Sequence, residues 1–411
     1  MLPRLALALC AAAILAATLS PSPVAPEDTP VWCLVCGVAG MSDVVANIIL
    51  FFPFGAALAA LGASARRALL FGVALSLSIE IAQHVIPGRD PSLSDVVFNT
   101  TGAGLGARAW RCIPLLLRPT PALASRLARA AALAAAAVLG FTAYALAPAF
   151  PDSVYYAQWT PDLAHLALYE GRVLDARLGG LPLPPPRLTD SRAVLRMLRS
   201  GTPLHVRAVA GPPPPALASI FSIYDEDQRE IILVGADRED LVVRVRTRAD
   251  GMLLDHPDLR LAGALARVPV GEEISITVGR QPGQDGYCIE LNGIASCGLR
   301  HPLGSGWALL HYSDRFPPLL ERLLTAAWIA ALVCPAAFWA RSRRDAGIAS
   351  GILAAAFLGV PAGSVVVGLS AADLAGAAIG LLAAAALRRA LPPLPAQVSA
   401  APSARDGLPS P

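Results

Sequence analysis

The most regular feature of the chain is a series of long apolar runs separated by short polar ones. Eight runs approach the length a helix needs to cross roughly 30 Å of hydrocarbon. They lie near 5–20, 44–62, 68–87, 95–110, 127–149, 319–340, 346–368 and 371–387. The fourth is the most polar, because it carries Asp95, Asn99, Thr100 and several glycines. Between the fifth and sixth runs the pattern changes. From Leu204 onward it shows short β-branched stretches bounded by Gly, Pro and Asp: LHVRAVAG, ASIFSIYD, EIILVGAD, DLVVRVRT, EEISITVG, YCIELNG and GWALLHY. That spacing predicts an antiparallel sandwich. The expected architecture is therefore an α-helical polytopic membrane protein of about eight spans with an inserted all-β jelly-roll domain. Its parts are membrane helices over 1–149, the β insert over 150–316, C-terminal helices over 317–390 and a disordered cytoplasmic tail over 391–411.

Composition agrees with that division. The 411 residues are 55% hydrophobic, with a mean hydropathy of +0.55, and only 15% are charged, against about a quarter in soluble domains. The charges concentrate in the insert. Every one of the 33 basic residues is Arg, a bias typical of a GC-rich bacterial genome, and the net charge is only +3. The Arg residues sit at the ends of apolar runs and are not interleaved with aromatics, which argues against nucleic-acid binding.

Those Arg residues also set orientation, since Arg-rich loops stay in the cytoplasm. Eight crossings place Arg4, Arg66, Arg67, Arg108, Arg111, Arg118, Arg126, Arg129, Arg341, Arg343, Arg344, Arg388 and Arg389 on one side. Both termini are then cytoplasmic, residues 150–316 are extracytoplasmic, and the expected location is a bacterial cytoplasmic membrane. The first run is read as an uncleaved helix, although Arg4 and the small residues near its end also suit a cleaved signal peptide. Cys10 is not a lipoprotein site, because Leu9 precedes it.

The seven cysteines form neither a disulfide scaffold nor a zinc framework. Cys10, Cys112 and Cys334 fall in or beside apolar helices as small packing residues. Cys288 and Cys297 flank Asn292-Gly293, a tight-turn signal, and are expected to form a disulfide. Cys33 and Cys36 have CxxC spacing without a thioredoxin-like context, so a local disulfide or two ordinary thiols is expected there. No metal or cofactor is expected. His165, His205, His256, His301 and His311 are scattered without ligand spacing, and there is no Walker loop, HExxH or GxSxG.

Polar side chains inside the first group of runs carry more information, because each charge there costs on the order of 2.5–3.5 kcal/mol on insertion scales. Asp43 and Asn47 are four apart, Glu80 and Gln83 three, and Asp95 and Asn99 four, so each pair shares a helix face. The topology gathers all three pairs at the extracytoplasmic ends of their helices, with His84, Arg89 and Asp90 in the joining loop. Arg89 is the expected partner of one or two carboxylates. Two readings are open. The groups hydrogen-bond the helices to one another, or they line an outward pocket for a polar or phosphorylated headgroup, a peptide or an ion.

The strings DVVANIILFFPFG, SLSIEIAQHVIPGRDPSLSD and DVVFNTTGAGLGA resemble the VanZ-like family over about residues 10–145. Asn47, Phe52, Pro53, Gly55, Glu80, Gln83, Arg89, Asp95, Asn99, Gly102 and Gly106 fill its pattern. The resemblance implies a multi-spanning envelope protein of a kind associated with glycopeptide (teicoplanin) resistance. Over 155–315 the strand order and YCIELNG resemble laminin-G or concanavalin-A-like jelly rolls, which implies carbohydrate binding. A weaker echo occurs near the C-terminus, where Asp373, Ala377 and Gly380 repeat the spacing of Asp95, Asn99 and Gly102.

Three functions remain open on the residues alone. One is an envelope or resistance factor binding a polar lipid, wall precursor or glycan. The second is a membrane-embedded enzyme on a lipid-linked substrate, with Glu80 or Asp95 as base and Arg89 as the anion clamp. The third is an ion-coupled transporter. Partners are expected to be membrane lipid and a wall precursor or glycan, with no nucleic acid.

Overall fold

The computed structural model describes residues 2–21, 30–89, 91–163, 166–280, 285–311 and 316–391. Asp90, His165 and all but the first residue of the expected tail lie outside them.

Five helices open the chain: α1 (Leu2–Leu19), α2 (Gly40–Ala60), α3 (Ala65–Gln83), α4 (Leu93–Leu117) and α5 (Pro121–Ala145). Short polar caps start three of them. Ser64 accepts from the Arg67 N–H, Ser92 from Ser94 and Thr120 from Leu123, which satisfies amides that the first turn leaves free. Three more follow the insert: α8 (Pro318–Trp339), α9 (Arg343–Ala362) and α10 (Ala371–Ala390). Among the described residues six helices, α1, α2, α5, α8, α9 and α10, are long and apolar enough to cross a membrane. The chain is a membrane protein. The third and fourth expected spans are present as α3 and α4, with 19 and 25 residues, but their polar content keeps them outside those six.

The helices approach closely where glycine removes the side chain. A Cβ on Gly102 or Gly106 of α4 would collide with the carbonyl of Ile48 or Phe52 on α2, and one on Gly55 of α2 would meet Ala103. The α2–α4 contact is thus backbone against backbone, the close approach that small residues permit in membranes.

Between α5 and α8 lie two antiparallel sheets. Their strands are β1 (Tyr156–Trp159), β2 (Arg172–Leu178), β3 (Leu181–Pro182), β4 (Leu204–Val209), β5 (Ala218–Tyr224), β6 (Glu230–Asp237), β7 (Asp240–Val245), β8 (Leu259–Leu261), β9 (Glu273–Gly279), β10 (Tyr287–Leu291) and β11 (Ile294–Leu299). One sheet runs β1-β5-β6-β7-β8, the other β11-β10-β9-β4-β2-β3. Inward side chains of both, including Phe221, Val234, Val206 and Ile276, share one buried core. A helix α6 (Ser191–Ser200), capped by Asp190 and ended by Gly201 at φ +77°, and one turn α7 (Arg248–Gly251) complete the insert.

Six of the seven expected strands are present. The seventh, GWALLHY, is not a strand over its described residues: 303–309 form a 3₁₀ helix. Its amides and small residues are engaged by membrane helices. The Gly304 N–H donates to Asp373 Oδ1 at 2.7 Å, and Gly306 has Thr142 and Trp328 against it. Just before it, β12 (His301–Pro302) pairs in parallel with β13 (Val367–Gly368), in the turn between α9 and α10. The insert is therefore stitched to the C-terminal helices.

Both cysteine pairs, Cys33–Cys36 and Cys288–Cys297, are disulfide-bonded. The second closes the β10–β11 hairpin, whose turn residues Asn292 and Gly293 both have positive φ, +51° and +82°, as a two-residue hairpin turn demands. Cys10, Cys112 and Cys334 are free. The acidic segment Asp225-Glu226-Asp227 is a self-bonded turn, with Asp225 Oδ1 accepting from the Asp227 and Arg229 amides at 3.0 and 2.8 Å.

Candidate functional site

The polar residues of the first helical group stand at helix ends. Asp43 is in the first turn of α2 with Asn47 a turn further in, Glu80 and Gln83 are in the last turn of α3, and Asp95 and Asn99 are in the first two turns of α4. α2 and α4 start side by side, and Asn47 Nδ2 donates to Asp95 Oδ1 at 2.9 Å across the glycine contact. α3 ends against the start of α4, where Glu80 Oε2 accepts the Ser92 N–H at 2.7 Å. Deeper between the same two helices, Asn99 Nδ2 donates to Ser76 Oγ at 2.9 Å. The three pairs thus face one another in one region.

Two residues serve α1 instead. Gln83 Nε2 donates to the Thr18 carbonyl at 3.0 Å. Arg89 donates to the Ser20 carbonyl at 2.9 Å and the Ala17 carbonyl at 2.8 Å. The guanidinium therefore caps the C-terminus of α1, where free carbonyls and the helix dipole favour a cation. It makes no ion pair with a carboxylate among the described residues, contrary to the pairing expected from sequence. A lone Arg in a short loop gave no way to know that α1 would end within its reach.

The cluster is graded in burial. Asp43 is exposed, and Asn47, Arg89 and Asp95 are half-buried, while Glu80, Gln83 and Asn99 retain only 6%, 5% and 1% of their surface. The inner three each hold a buried oxygen without a hydrogen-bond partner among the described residues: Glu80 Oε1, Gln83 Oε1 and Asn99 Oδ1. All three atoms are acceptors, and each one left unpaired costs about 1–3 kcal/mol. What would satisfy them is a set of donors, such as hydroxyls or an ammonium. No group of three or more His, Cys, Asp or Glu able to hold a metal occurs among the described residues.

Three segments frame the cluster. α1 covers it through Gln83 and Arg89. The Cys33–Cys36 loop covers the start of α4, with Ser94 Oγ donating to the Leu34 carbonyl at 2.7 Å and the Leu93 N–H to the Val31 carbonyl at 3.0 Å. The insert rests on the start of α2. There the Met41 N–H donates to the Leu253 carbonyl, the Asp255 N–H to Ser42 Oγ at 2.8 Å, and Ser42 Oγ to the Leu309 carbonyl at 2.7 Å.

Sequence reasoning missed Ser42, Ser76, Ser92 and Ser94. Only Ser92 carried a signal, since Ser-x-x-Asp before an apolar run marks a helix start. The other three are common residues whose role is defined by what folds against them.

No curated protein and no solved structure matches the chain. Residues 11–116, which contain all seven side chains of this cluster and the α2–α4 glycine contact, match the family model described as VanZ/LLP1.

Proposed function

We propose that the chain is a VanZ-like envelope protein whose cluster of Asp43, Asn47, Glu80, Gln83, Arg89, Asp95 and Asn99 binds the polar part of a lipid, wall precursor or glycan. In that role it acts as an envelope-stress or glycopeptide-resistance factor. The observation that carries the reading is the set of three buried acceptor oxygens, on Glu80, Gln83 and Asn99, that have no partner among the described residues. Polar groups serving only as helix glue would be expected to satisfy one another, whereas a ligand rich in hydroxyl or amine donors would complete these. Asp43 and Asp95 at the rim add acceptors for the same donors.

The topology belongs to this proposal. Eight crossings, with α3 and α4 spanning, put both termini in the cytoplasm and the cluster and insert outside. In support, α3 turns Leu70, Phe71, Leu77 and Ile81 outward, with Leu70 and Ile81 both more than 60% exposed, as a lipid-facing helix would. On this reading the insert is a jelly roll placed to hold glycan above the cluster.

The test is survival of a deletion strain on teicoplanin and other envelope stresses when it carries wild type, Glu80→Gln, Asp95→Asn or Asn99→Ala, with membrane levels checked by blot. The expected outcome is that the point variants, present at wild-type level, behave like the deletion. Wild-type survival from all of them would make the cluster structural and end the proposal.

A further inference from the structure

A second site lies where α5 hands the chain to the insert. The end of α5 and the following segment supply Tyr144, Pro148, Ala149, Phe150 and Pro151 to the wall of a cavity of about 710 Å³. The insert supplies four arginines to it, Arg199 from α6, Arg246 just before α7, Arg248 opening α7, and Arg280 after β9, and no acidic residue among the described residues lines it.

The guanidinium groups are held in place by carbonyls and a ring. Arg199 Nη2 donates to the Phe150 carbonyl at 3.0 Å, and Arg280 Nη2 to the Arg199 carbonyl at 2.8 Å. Arg246 Nη1 reaches the Glu230 carbonyl at 3.4 Å, and Arg248 lies 4.4 Å over the Tyr144 ring. Each anchor is a carbonyl or a ring, and none of the four pairs with a carboxylate among the described residues. Elsewhere in the insert the opposite holds: Arg244 forms a two-pronged pair with Asp258, and Arg260 pairs with Asp237 and Asp240. Four charges that pair with no carboxylate among the described residues repel one another around one concavity, and the group that offsets them is an oxyanion with several acceptor oxygens.

Position and lining narrow the class. Tyr144 is in the last turn of an apolar helix, the level at which aromatic rings sit at a membrane interface. One wall of the cavity is apolar, and phosphate groups of lipids lie at that same level. We infer that this cavity is a binding site for a phosphate-bearing headgroup of a membrane lipid, held by Arg199, Arg246, Arg248 and Arg280. The site is independent of the Glu80 cluster and would bind phosphate even if that cluster were purely structural. Gly251 and Met252 line the cavity, while the next residue, Leu253, receives the Met41 amide at the start of α2. An occupied arginine site would therefore brace the segment that rests beside Asp43.

The test uses the full chain in detergent and native mass spectrometry. The probes are phosphatidylglycerol against phosphatidylcholine, with inorganic pyrophosphate as the soluble arm. Wild type is expected to retain phosphatidylglycerol selectively. Arg248→Gln/Arg280→Gln should weaken that retention at least about tenfold, a loss that two charge-assisted contacts readily account for. A control at exposed arginines away from the cavity, Arg172→Gln/Arg238→Gln, should leave it unchanged. If the double variant does not fold, Arg248→Gln alone carries the comparison. Arginine-dependent retention of pyrophosphate as well as lipid would assign the site to phosphate from either source, and retention of lipid alone would assign it to a headgroup. Equal retention by wild type and a folded cavity variant, equal loss in the control, or no selectivity for the anionic lipid would overturn the inference.

Discussion

Two histidines of the insert, His256 and His301, sit in environments that move their titration in opposite directions. His256 is buried, and burial alone would lower its pKa, but the Asp250 carboxylate 3.3 Å from Nε2 outweighs that and lifts it to about 9. Burial and then the neighbouring His256 charge depress His301 to about 4. The two act in opposite directions on stability. A raised pKa gives stabilisation that is complete below the ordinary imidazole value of 6.5 and fades as pH rises through 9. A depressed one costs stability as pH falls from 6.5 through 4. Thermal unfolding of the full chain, followed by tryptophan fluorescence across pH 4 to 9, should therefore be highest near pH 6.5 and decline on both sides. His256→Gln should flatten the alkaline limb, which amounts to about 1–3 kcal/mol. An unchanged alkaline limb would show that the His256–Asp250 pair does not set it. The sequence displayed these histidines as scattered, and nothing in their spacing announced that the buried His256 and the half-buried His301 would lie near one another with opposite shifts.

At the scale of elements, the packing of α2 with α4 recurs in α8 with α10. Gly102 lies against Ile48 and Gly380 against Ala330, and Pro53 and Pro335 fall five residues beyond those two contacts. The serines that cap α3 and α4, Ser64 and Ser92, are 28 residues apart, as are Ser342 and Ser370, which cap α9 and α10. Asp95 and Asp373 then occupy the same place in the first turn of their helices, so the echo seen in sequence corresponds to shared packing. Their partners differ. Asp95 meets Asn47, while the fully buried Asp373 accepts the Gly304 amide of the insert and caps Ser370. Where the first group holds Asn99, the second has Ala377, so that polar position has no counterpart there. The contact itself is testable. Gly106→Ala forces a methyl into the Phe52 carbonyl and should cost about 1–3 kcal/mol through overpacking, seen as a lower melting temperature in detergent. Gly140→Ala in α5, where nothing lies within 4 Å, should leave melting unchanged or slightly raise it. Equal melting of both variants would mean that α2 and α4 can part without loss.

For the whole molecule, the insert and the membrane helices share a core. The cluster that holds Phe221, Ile223 and Ile276 of the sheets continues into Leu139 of α5, Ile329 and Val333 of α8, Ala356 of α9 and Val367 of β13. The segment 150–316 made alone would expose that join. It is expected to aggregate or bind a hydrophobic dye, whereas the full chain in detergent remains monodisperse on a sizing column. A well-behaved isolated insert would mean that the shared core contributes little.

What the sequence determined by itself is what depends on local pattern: the apolar helices, six of the expected strands, the Asn292-Gly293 hairpin with its disulfide, and the grouping of polar side chains at helix ends. Period, length and turn chemistry act within a few residues of one another, so they can be read from the string. What only the tertiary structure decided is where long side chains and short polar segments find partners. Arg89 turned to α1, residues 303–309 became a 3₁₀ helix whose Gly304 amide is held by Asp373, 69 residues away in sequence, and four arginines from three parts of the insert converged on one cavity. In each case the deciding group is distant along the chain, and its distance in space is set by how the insert settles on the helices.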